Sequence, residues 1–195
     1  MALFHLDDRQ VHLKIVYYGP GFGGKTTNLQ YLHGRVPPRL RGRWVALKTP
    51  DERTLYFDFL PLDLATPSGV RARIHLYTVP GQTRFCRSRR LLLRDADGIV
   101  FVADSHPGRS AANLESLEDL HRNLLEEGQG DGDIPLVFQL NKRDLDPRIA
   151  ADDLRRSLGI GDRPCHEAVA SRGEGVVETL KTATKLVLHR VHERC

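Results

Sequence analysis

The segment Gly19-Pro20-Gly21-Phe22-Gly23-Gly24-Lys25-Thr26 constrains the fold of this 195-residue chain more than any other feature. Its Gly-x4-Gly-Lys-Thr spacing is typical of a phosphate-binding loop when a strand precedes it and a helix follows. Residues 11–18 are rich in β-branched and aromatic types, which predicts that strand, and residues 26–33 predict the helix. The sequence therefore predicts a nucleoside triphosphate site at a strand–helix junction.

The residue types of this loop suit phosphate chemistry. Glycines let backbone N–H groups turn inward around phosphate oxygens. Lys25 is expected to reach the β- and γ-phosphates, and the Thr26 hydroxyl is expected to bind magnesium. The predicted contact set of the loop is Gly19, Gly21, Phe22, Gly23, Gly24, Lys25, Thr26 and Thr27. The loop alone does not select the base.

The rest of the chain alternates short strand patterns with helical ones. Residues 54–64 and 70–79 alternate on either side of Pro67-Ser68-Gly69 and predict an antiparallel hairpin. Residues 98–104 and 134–141 are apolar runs that predict buried strands, and a short strand is expected near 165–169. Helices are predicted around the leucines Leu114, Leu117, Leu120, Leu124 and Leu125, near 149–158, and over 175–192. We expect a single α/β domain over 1–195, with a mostly parallel six-stranded sheet, one antiparallel strand, and helices on both faces.

Composition narrows the function classes. The three cysteines are too few for a disulfide framework or zinc site, and no apolar stretch reaches the ~18 residues of a membrane span. The start lacks a basic signal-peptide region, Ala2 excludes N-myristoylation, and Cys195 lies outside a prenylation box. We therefore expect a cytoplasmic protein without direct membrane insertion.

Two arginine clusters stand out within the net charge of +4. They can form surfaces for nucleic acid or an acidic partner, or they can be solvated faces. Aromatic residues do not interleave them, so a stacking platform for single-stranded nucleic acid is not expected. The clusters are Arg35, Arg39, Arg41 and Arg43, and Arg84, Arg87, Arg89, Arg90 and Arg94.

A tetrapeptide for base recognition follows the strand predicted to end at 140. It reads Asn141-Lys142-Arg143-Asp144 and resembles the Asn-Lys-x-Asp box of GTP-binding proteins. There the carboxylate, here Asp144, accepts hydrogen bonds from guanine N1–H and the 2-amino group. Adenine offers neither donor, so an unpaired buried charge would penalise ATP. Lys142 would lie along the base plane, and Asn141 would tie this loop to the phosphate loop.

A catalytic segment is indicated at the end of the strand predicted over 70–79. Thr78-Val79-Pro80-Gly81-Gln82 resembles the Asp-x-x-Gly-Gln segment of Ras-like GTPases, with Thr78 in place of the aspartate. A threonine hydroxyl can hold a magnesium-bound water but carries no charge, so weaker magnesium affinity is expected. The Gly81 N–H would sense the γ-phosphate, and Gln82 would orient the attacking water.

The first switch is expected before residue 54. Thr54 is preferred over Thr49 as the magnesium and γ-phosphate ligand because it stands at a strand entrance. Arg53 is either an internal arginine finger or a surface charge paired with a neighbouring acid. In the third base-side loop, only the backbone N–H of Ala170 is expected to contact guanine O6.

Several long motifs resemble the bacterial gliding-motility GTPases, the MglA family, over about residues 11–191. They are Tyr17-Tyr18-Gly19-Pro20-Gly21, Gly24-Lys25-Thr26-Thr27-Asn28-Leu29, Asp51-Glu52-Arg53-Thr54-Leu55, Phe57-Asp58-Phe59-Leu60-Pro61-Leu62, Leu76-Tyr77-Thr78-Val79-Pro80-Gly81-Gln82, Val102-Ala103-Asp104-Ser105 and Asn141-Lys142-Arg143-Asp144-Leu145. In that family threonine is usual at the Thr78 position. Pro50 and the arginine-rich stretch 83–94 depart from the pattern and point to a paralogue.

The resemblance implies a Ras-like P-loop GTPase that binds GTP or GDP with Mg2+ and hydrolyses GTP. It implies a polarity and motility switch, at a cell pole when GTP-bound, with a dimeric roadblock-type activator, MglB. That partner would arrange Arg53 and Gln82 without inserting its own arginine. The chain alone is expected to be monomeric. Two alternatives stay open: a nucleotide-locked scaffold with negligible hydrolysis, and a kinase-like enzyme that uses ATP.

Overall fold

The structure, a computed structural model, describes residues 3–5, 10–46, 57–65, 71–81, 86–130 and 132–193. Over these ranges the strands are β1 (Leu3–His5), β2 (Gln10–Tyr18), β3 (Val45–Ala46), β4 (Asp58–Ala65), β5 (Arg71–Thr78), β6 (Gly98–Asp104), β7 (Leu136–Asn141) and β8 (Cys165–Glu167). The α-helices are α1 (Lys25–Arg35), α2 (Cys86–Leu93), α3 (Ser110–Glu126), α4 (Ala151–Ser157) and α5 (Val176–Glu193).

The strands form one sheet in the order β3-β4-β5-β2-β6-β7-β8. Strands β5, β2, β6, β7 and β8 run parallel, and β4 pairs antiparallel with β5. This confirms the predicted mostly parallel six-stranded sheet with one antiparallel strand. Two short strands were not predicted: β3 pairs antiparallel with β4, and β1 pairs antiparallel with the start of β2. At two and three residues they are too short to show a pattern of alternation.

Element ends differ from prediction where the backbone has other partners. The run predicted from residue 134 becomes a strand only at Leu136, because Pro135 has no N–H to donate to a ladder. Helix α4 begins at Ala151 because the backbone of Ala150 is extended, with φ −58° and ψ 145°, and the N–H of Ile149 before it donates to Ser105 O at 2.9 Å. The turn predicted at Pro67-Ser68-Gly69 lies outside the described residues.

Apolar side chains cover both faces of the sheet. In β2, successive side chains point to opposite faces, and the apolar ones on both faces are buried. Leu13 and Ile15 pack against residues of α1 and α5, whereas Val16 and Tyr18 pack against residues of α2, α3 and α4. Helices therefore lie on both faces, as predicted.

The predicted apolar stripe of α3 is partly wrong. Leu117 and Leu120 are buried, but Leu114 and Leu125 are 40% and 68% exposed. The polar residues Asn113, Asp119 and Asn123 occupy buried positions instead. They are tolerated because each has hydrogen-bond partners inside the protein.

Among the described residues, no helix combines the length and the apolar character that crossing a bilayer requires. The carboxyl ends of β2, β5, β6 and β7 lie side by side at one edge of the sheet. Parallel α/β sheets bind ligands at this edge. It presents Gly19, Thr78, Asp104 and Asn141 together.

Candidate nucleotide-binding site

The phosphate loop connects β2 to α1, and its glycines are sterically required. Gly19 has φ +135°, and a Cβ there would lie 2.3 Å from Val102 O. Gly24 has φ +100°, and a Cβ there would lie 2.1 Å from Asn141 Nδ2. A side chain at either position would collide with a neighbouring strand. Phe22 adopts φ 63° and is 85% exposed, which leaves the inner side of the loop to backbone groups.

Lys25, the first residue of α1, is buried inside the loop. Its Nζ donates hydrogen bonds to Gly19 O and Pro20 O, both at 2.7 Å. Burial, with a smaller contribution from the nearby charges of Arg89 and Arg109, lowers the pKa of Lys25 to about 7, and the charge of Asp58 opposes this shift. The ammonium is thus held where phosphate oxygens would approach the loop.

Asp58 joins the phosphate loop to the end of β5, a role that the sequence motifs did not predict. Its Oδ2 accepts hydrogen bonds from Thr26 Oγ1 at 2.5 Å and from Thr78 Oγ1 at 2.9 Å. The Asp58 N–H donates back to Thr78 Oγ1 at 2.9 Å. One signal for it existed, since Asp58 alternates in β4 with the buried face that carries Leu60 and Leu62.

This geometry changes the interpretation of Thr78. Its hydroxyl is committed to Asp58, and the carboxylate from the neighbouring strand supplies the negative charge that threonine lacks. A carboxylate and a threonine hydroxyl side by side are oxygen donors of the kind that Mg2+ prefers. The residues present therefore fit a magnesium ion, which Thr26 and Asp58 would hold together with phosphate oxygens.

The backbone of Gly81 lies directly on the phosphate loop. Gly21 N–H donates to Gly81 O at 3.1 Å, and a Cβ on Gly81 would lie 2.3 Å from Gly21 N. The structure thus brings Gly81 to the loop residue beside which a γ-phosphate is expected. The neighbouring Gln82 lies outside the described residues, as do Arg53, Thr54 and Thr49.

Asn141 links three loops at the other end of the site. Its Nδ2 donates to Gly23 O at 2.8 Å, and its Oδ1 accepts from Ala170 N–H at 2.9 Å. The first contact is the predicted tie to the phosphate loop. The second gives the Ala170 N–H a partner inside the protein, so contact with guanine O6 would require that N–H to be shared.

The remaining base-side residues lie beside Asn141. Lys142 adopts φ 65°, and its Nζ donates to Asp104 Oδ2 at 2.7 Å. The Asp144 carboxylate is partly exposed, and Arg172 Nη2 lies 3.8 Å from its Oδ2. Arg172 is therefore a residue at the base end of the site that the sequence motifs did not indicate.

A cavity of about 180 Å³ adjoins the phosphate loop and is lined by Gly21, Gly81, Arg89, Arg109 and Asp119, among others. Arg89 is buried, and its Nε lies 2.6 Å from Asp119 Oδ2. A larger cavity of about 740 Å³ lies elsewhere, between the C-terminal parts of α3 and α5 and the start of β7. Cavity size alone would therefore not identify the nucleotide site.

In the second arginine cluster, the three arginines whose side chains the structure describes each lie beside an acidic residue. Beyond the buried Arg89, Arg90 contacts Glu126 and Glu127, and Arg94 lies 3.9 Å from Asp95. Arg84 and the side chain of Arg87 lie outside the described atoms. In the first cluster, Arg35, Arg39 and Arg43 are exposed.

The sheet order, the phosphate loop at the β2–α1 junction and the Asn-Lys-x-Asp box beside it define a Ras-like small GTPase. No family model matches the chain. The chain is 48% identical over 188 residues to the mutual gliding-motility protein MglA of Myxococcus xanthus, with 96% of each chain covered. The chain belongs to the MglA family.

More distant relatives agree with this class. The chain is 25% identical over 183 residues to the Ras-related protein Rab-5B of Plasmodium falciparum, covering 93% of this chain and 80% of that one. It is 27% identical over 127 residues to human ADP-ribosylation factor-like protein 4A, covering 60% and 59%. The chain is thus a small GTPase switch that binds guanine nucleotides.

Proposed function

We propose that the chain binds GTP or GDP with Mg2+, hydrolyses GTP to GDP and phosphate, and through this cycle controls bacterial polarity and gliding motility. The observation that carries the catalytic part is the contact of Asp58 with both Thr26 and Thr78 beside the phosphate loop. It collects a carboxylate and two hydroxyls next to the buried Lys25 ammonium. That is the charge arrangement phosphoryl transfer needs, with cations on the phosphates and oxygen ligands for a divalent ion.

The residues divide the work by position. Lys25 neutralises phosphate charge. Thr26, Thr54 and Asp58 would hold a magnesium ion, which would supply further charge neutralisation on the phosphates. The Gly81 N–H senses the γ-phosphate, Gln82 orients water, and Arg53 stabilises charge that develops in the transition state. The roles of Thr54, Gln82 and Arg53 are supported by sequence alone.

Guanine selection is assigned to Asp144. Its carboxylate stands at the edge of the site, with Asn141 and Lys142 fixed by contacts to the phosphate loop and to Asp104. Guanine N1–H and its 2-amino group would replace the distant Arg172 as partners. Adenine would leave the carboxylate without a hydrogen-bond donor. The free-energy cost of that unpaired charge makes the affinity for ATP lower than that for GTP.

The cellular part of the proposal rests on the MglA relative, whose name describes a mutual gliding-motility protein. We assign the chain to the cytoplasm, with recruitment to a cell pole in the GTP state. A dimeric roadblock-type activator like MglB and downstream motility effectors are the proposed partners. Catalytic residues on switch segments are rarely aligned without such a partner, so slow intrinsic turnover is expected.

The nucleotide-locked scaffold loses its main support. It depended on an uncharged magnesium site at Thr78, and Asp58 lies 2.9 Å from that hydroxyl. The ATP-using alternative requires Asp144 to be incidental. Competition of ATP against labelled GTP tests it, with Asp144→Ala as the matched variant.

The experiment for the whole proposal is hydrolysis measured with and without a roadblock-type dimer. We expect stimulation in the wild-type chain and its loss in Gln82→Leu and Arg53→Ala. Unchanged stimulated rates in both variants would remove these two residues from the mechanism. Failure of guanine nucleotides to bind at all would remove the proposed function.

A further inference from the structure

Asp104, the last residue of β6, is a fully buried carboxylate that enters the proposed function only as a contact of Lys142. A buried charge is costly unless it is paired and hydrogen-bonded. Its Oδ1 accepts from the His106 N–H at 3.0 Å, and its backbone exchanges two hydrogen bonds of 2.9 Å with the Asn113 side chain. These bonds fix the carboxylate in one orientation.

Two cations reach the free oxygen of this carboxylate from opposite ends of the nucleotide site. Lys142 Nζ lies 2.7 Å from Asp104 Oδ2, and Arg109 Nε lies 3.8 Å from the same atom. Lys142 belongs to the base-recognition box. Arg109 follows β6 in a short 3-10 turn, and its Nη2 donates to Gly21 O of the phosphate loop at 2.6 Å.

The burial of the three groups is unequal. The side chain of Asp104 is 1% exposed, whereas Lys142 and Arg109 are 33% and 34% exposed. The carboxylate is thus buried, whereas the two cations are partly exposed to solvent. One carboxylate between two cations leaves a net positive charge, which favours a phosphate-bearing ligand.

The contact of Arg109 extends to Gly81 of the catalytic segment Thr78-Val79-Pro80-Gly81-Gln82. Gly21, whose carbonyl oxygen accepts from Arg109, also donates its own N–H to Gly81 O at 3.1 Å. Asp104 is therefore linked through Lys142 to the base end and through Arg109, Gly21 and Gly81 to the γ-phosphate end.

We propose that Asp104 is a positioning residue for the guanine nucleotide: it holds Lys142 along the base plane and, through Arg109, holds residue Gly21 in its contact with Gly81. This inference rests on the proposed guanine-nucleotide site. It assigns a role to the Val102-Ala103-Asp104-Ser105 motif beyond strand formation. Asp104 acts only through Lys142 and Arg109 and touches no reacting atom.

The test measures dissociation of fluorescent GDP, and displacement by GTP, GDP and IDP, in the full chain. Asp104→Asn keeps the shape and an oxygen acceptor but removes the charge, and we expect GDP to dissociate about tenfold faster. The loss is expected to be equal for GDP and IDP, because Lys142 does not read the 2-amino group. Asp144→Asn should instead weaken GDP more than IDP. Asp104→Glu, which restores the charge, is expected to recover part of the affinity.

Arg109→Met tests the link from Asp104 through Arg109 to Gly21 and Gly81. It should weaken GTP about tenfold relative to GDP, because the Gly21–Gly81 contact adjoins only the γ-phosphate position. The matched control is Asp63→Asn, which removes a carboxylate paired with Arg73 at 2.7 Å on β4, away from these loops. Its nucleotide affinities should equal those of the wild type.

Each outcome decides the inference. GDP dissociation from Asp104→Asn at the wild-type rate, or a lowered melting temperature without a change in affinity, would overturn it. If Asp104→Asn does not fold, Lys142→Met and Arg109→Met carry the same two expectations from the cation side, and wild-type affinities in both would overturn it. A wild-type chain that binds no guanine nucleotide would instead refute the proposed function.

Discussion

The carboxylate of Asp58 accepts a hydrogen bond of 2.9 Å from the hydroxyl of Thr78, so two neighbouring strands share what a single aspartate supplies in other Ras-like GTPases. Asp58 also accepts from Thr26 of the phosphate loop. The carboxylate beside the proposed magnesium position therefore comes from β4 and not from β5. This relationship makes Thr78 compatible with hydrolysis.

Replacing Asp58 by asparagine should raise the Mg2+ concentration needed for half-maximal GTP hydrolysis about tenfold or more. The variant keeps the side-chain shape but removes the charge that Thr26 and Thr78 surround, and hydrogen bonds to charged groups contribute about 1.5–3 kcal/mol. Magnesium titration of single-turnover hydrolysis measures the effect. Asp63→Asn in the same strand serves as control, because Asp63 is partly exposed and pairs with Arg73. An unchanged magnesium requirement in Asp58→Asn would contradict the assignment.

Exchanging the charge between the two strands tests the same relationship. Thr78→Asp alone should lower the melting temperature and the hydrolysis rate, because two carboxylates would meet at hydrogen-bond distance. Adding Asp58→Asn removes the repulsion, so the double variant should recover both quantities. A Thr78→Asp variant as stable and active as the wild type would contradict the account that Asp58 and Thr78 share this position.

Gly21→Val should bind GTP yet hydrolyse it at a rate reduced at least about tenfold. A Cβ at Gly21 would lie 3.4 Å from Gly81 O, so the added methyl groups of valine would displace the backbone of Gly81, which precedes Gln82. Nucleotide affinity and single-turnover rate are measured separately on the same preparation. Stimulated turnover equal to the wild type would argue against this placement of Gly81.

Acid should destabilise the chain through His75, which faces His12, Arg73, Asp63 and Phe59 on the sheet. Burial, then the charges of His12 and Arg73, hold the pKa of His75 below its ordinary value of 6.5, and Asp63 opposes the shift. As the pH falls below about 6.5, His75 becomes protonated in the unfolded chain before it does so in the folded chain. The free energy of unfolding therefore decreases as the pH falls from about 6.5 toward the lower pKa of the folded state. His75→Gln should therefore lose less melting temperature than the wild type between pH 7.5 and 5.5. Equal losses would show that His75 is not a source of acid sensitivity.

The sequence predicts the fold well where a segment has one clear hydrophobic pattern. The strand at residues 98–104 matches its prediction because a continuous apolar run is bounded by Gly98 and the carboxylate of Asp104. The buried polar residues of α3 did not follow, because Asn113 and Asn123 are stabilised by partners on β6 and β2 that the helix pattern does not contain. Local periodicity carries no information about such tertiary partners.

The site shows the same division. The loop glycines and Asn141 were recognisable because close backbone approach and base reading need those residue types at fixed spacing. Asp58 could have been noticed in the sequence from one feature, because it is a carboxylate on the buried face of an alternating strand. No sequence feature indicated the role of Arg109, because its contact with Gly21 spans 88 positions and depends on the turn after β6.

The most direct measurement is single-turnover GTP hydrolysis by the purified chain with Mg2+, followed as phosphate release, with and without a roadblock-type dimer. We predict slow intrinsic conversion to GDP, strong acceleration by the dimer, and loss of that acceleration in Gln82→Leu. Bound GTP that stays intact after prolonged incubation with magnesium and the dimer would contradict the account and favour a nucleotide-locked scaffold.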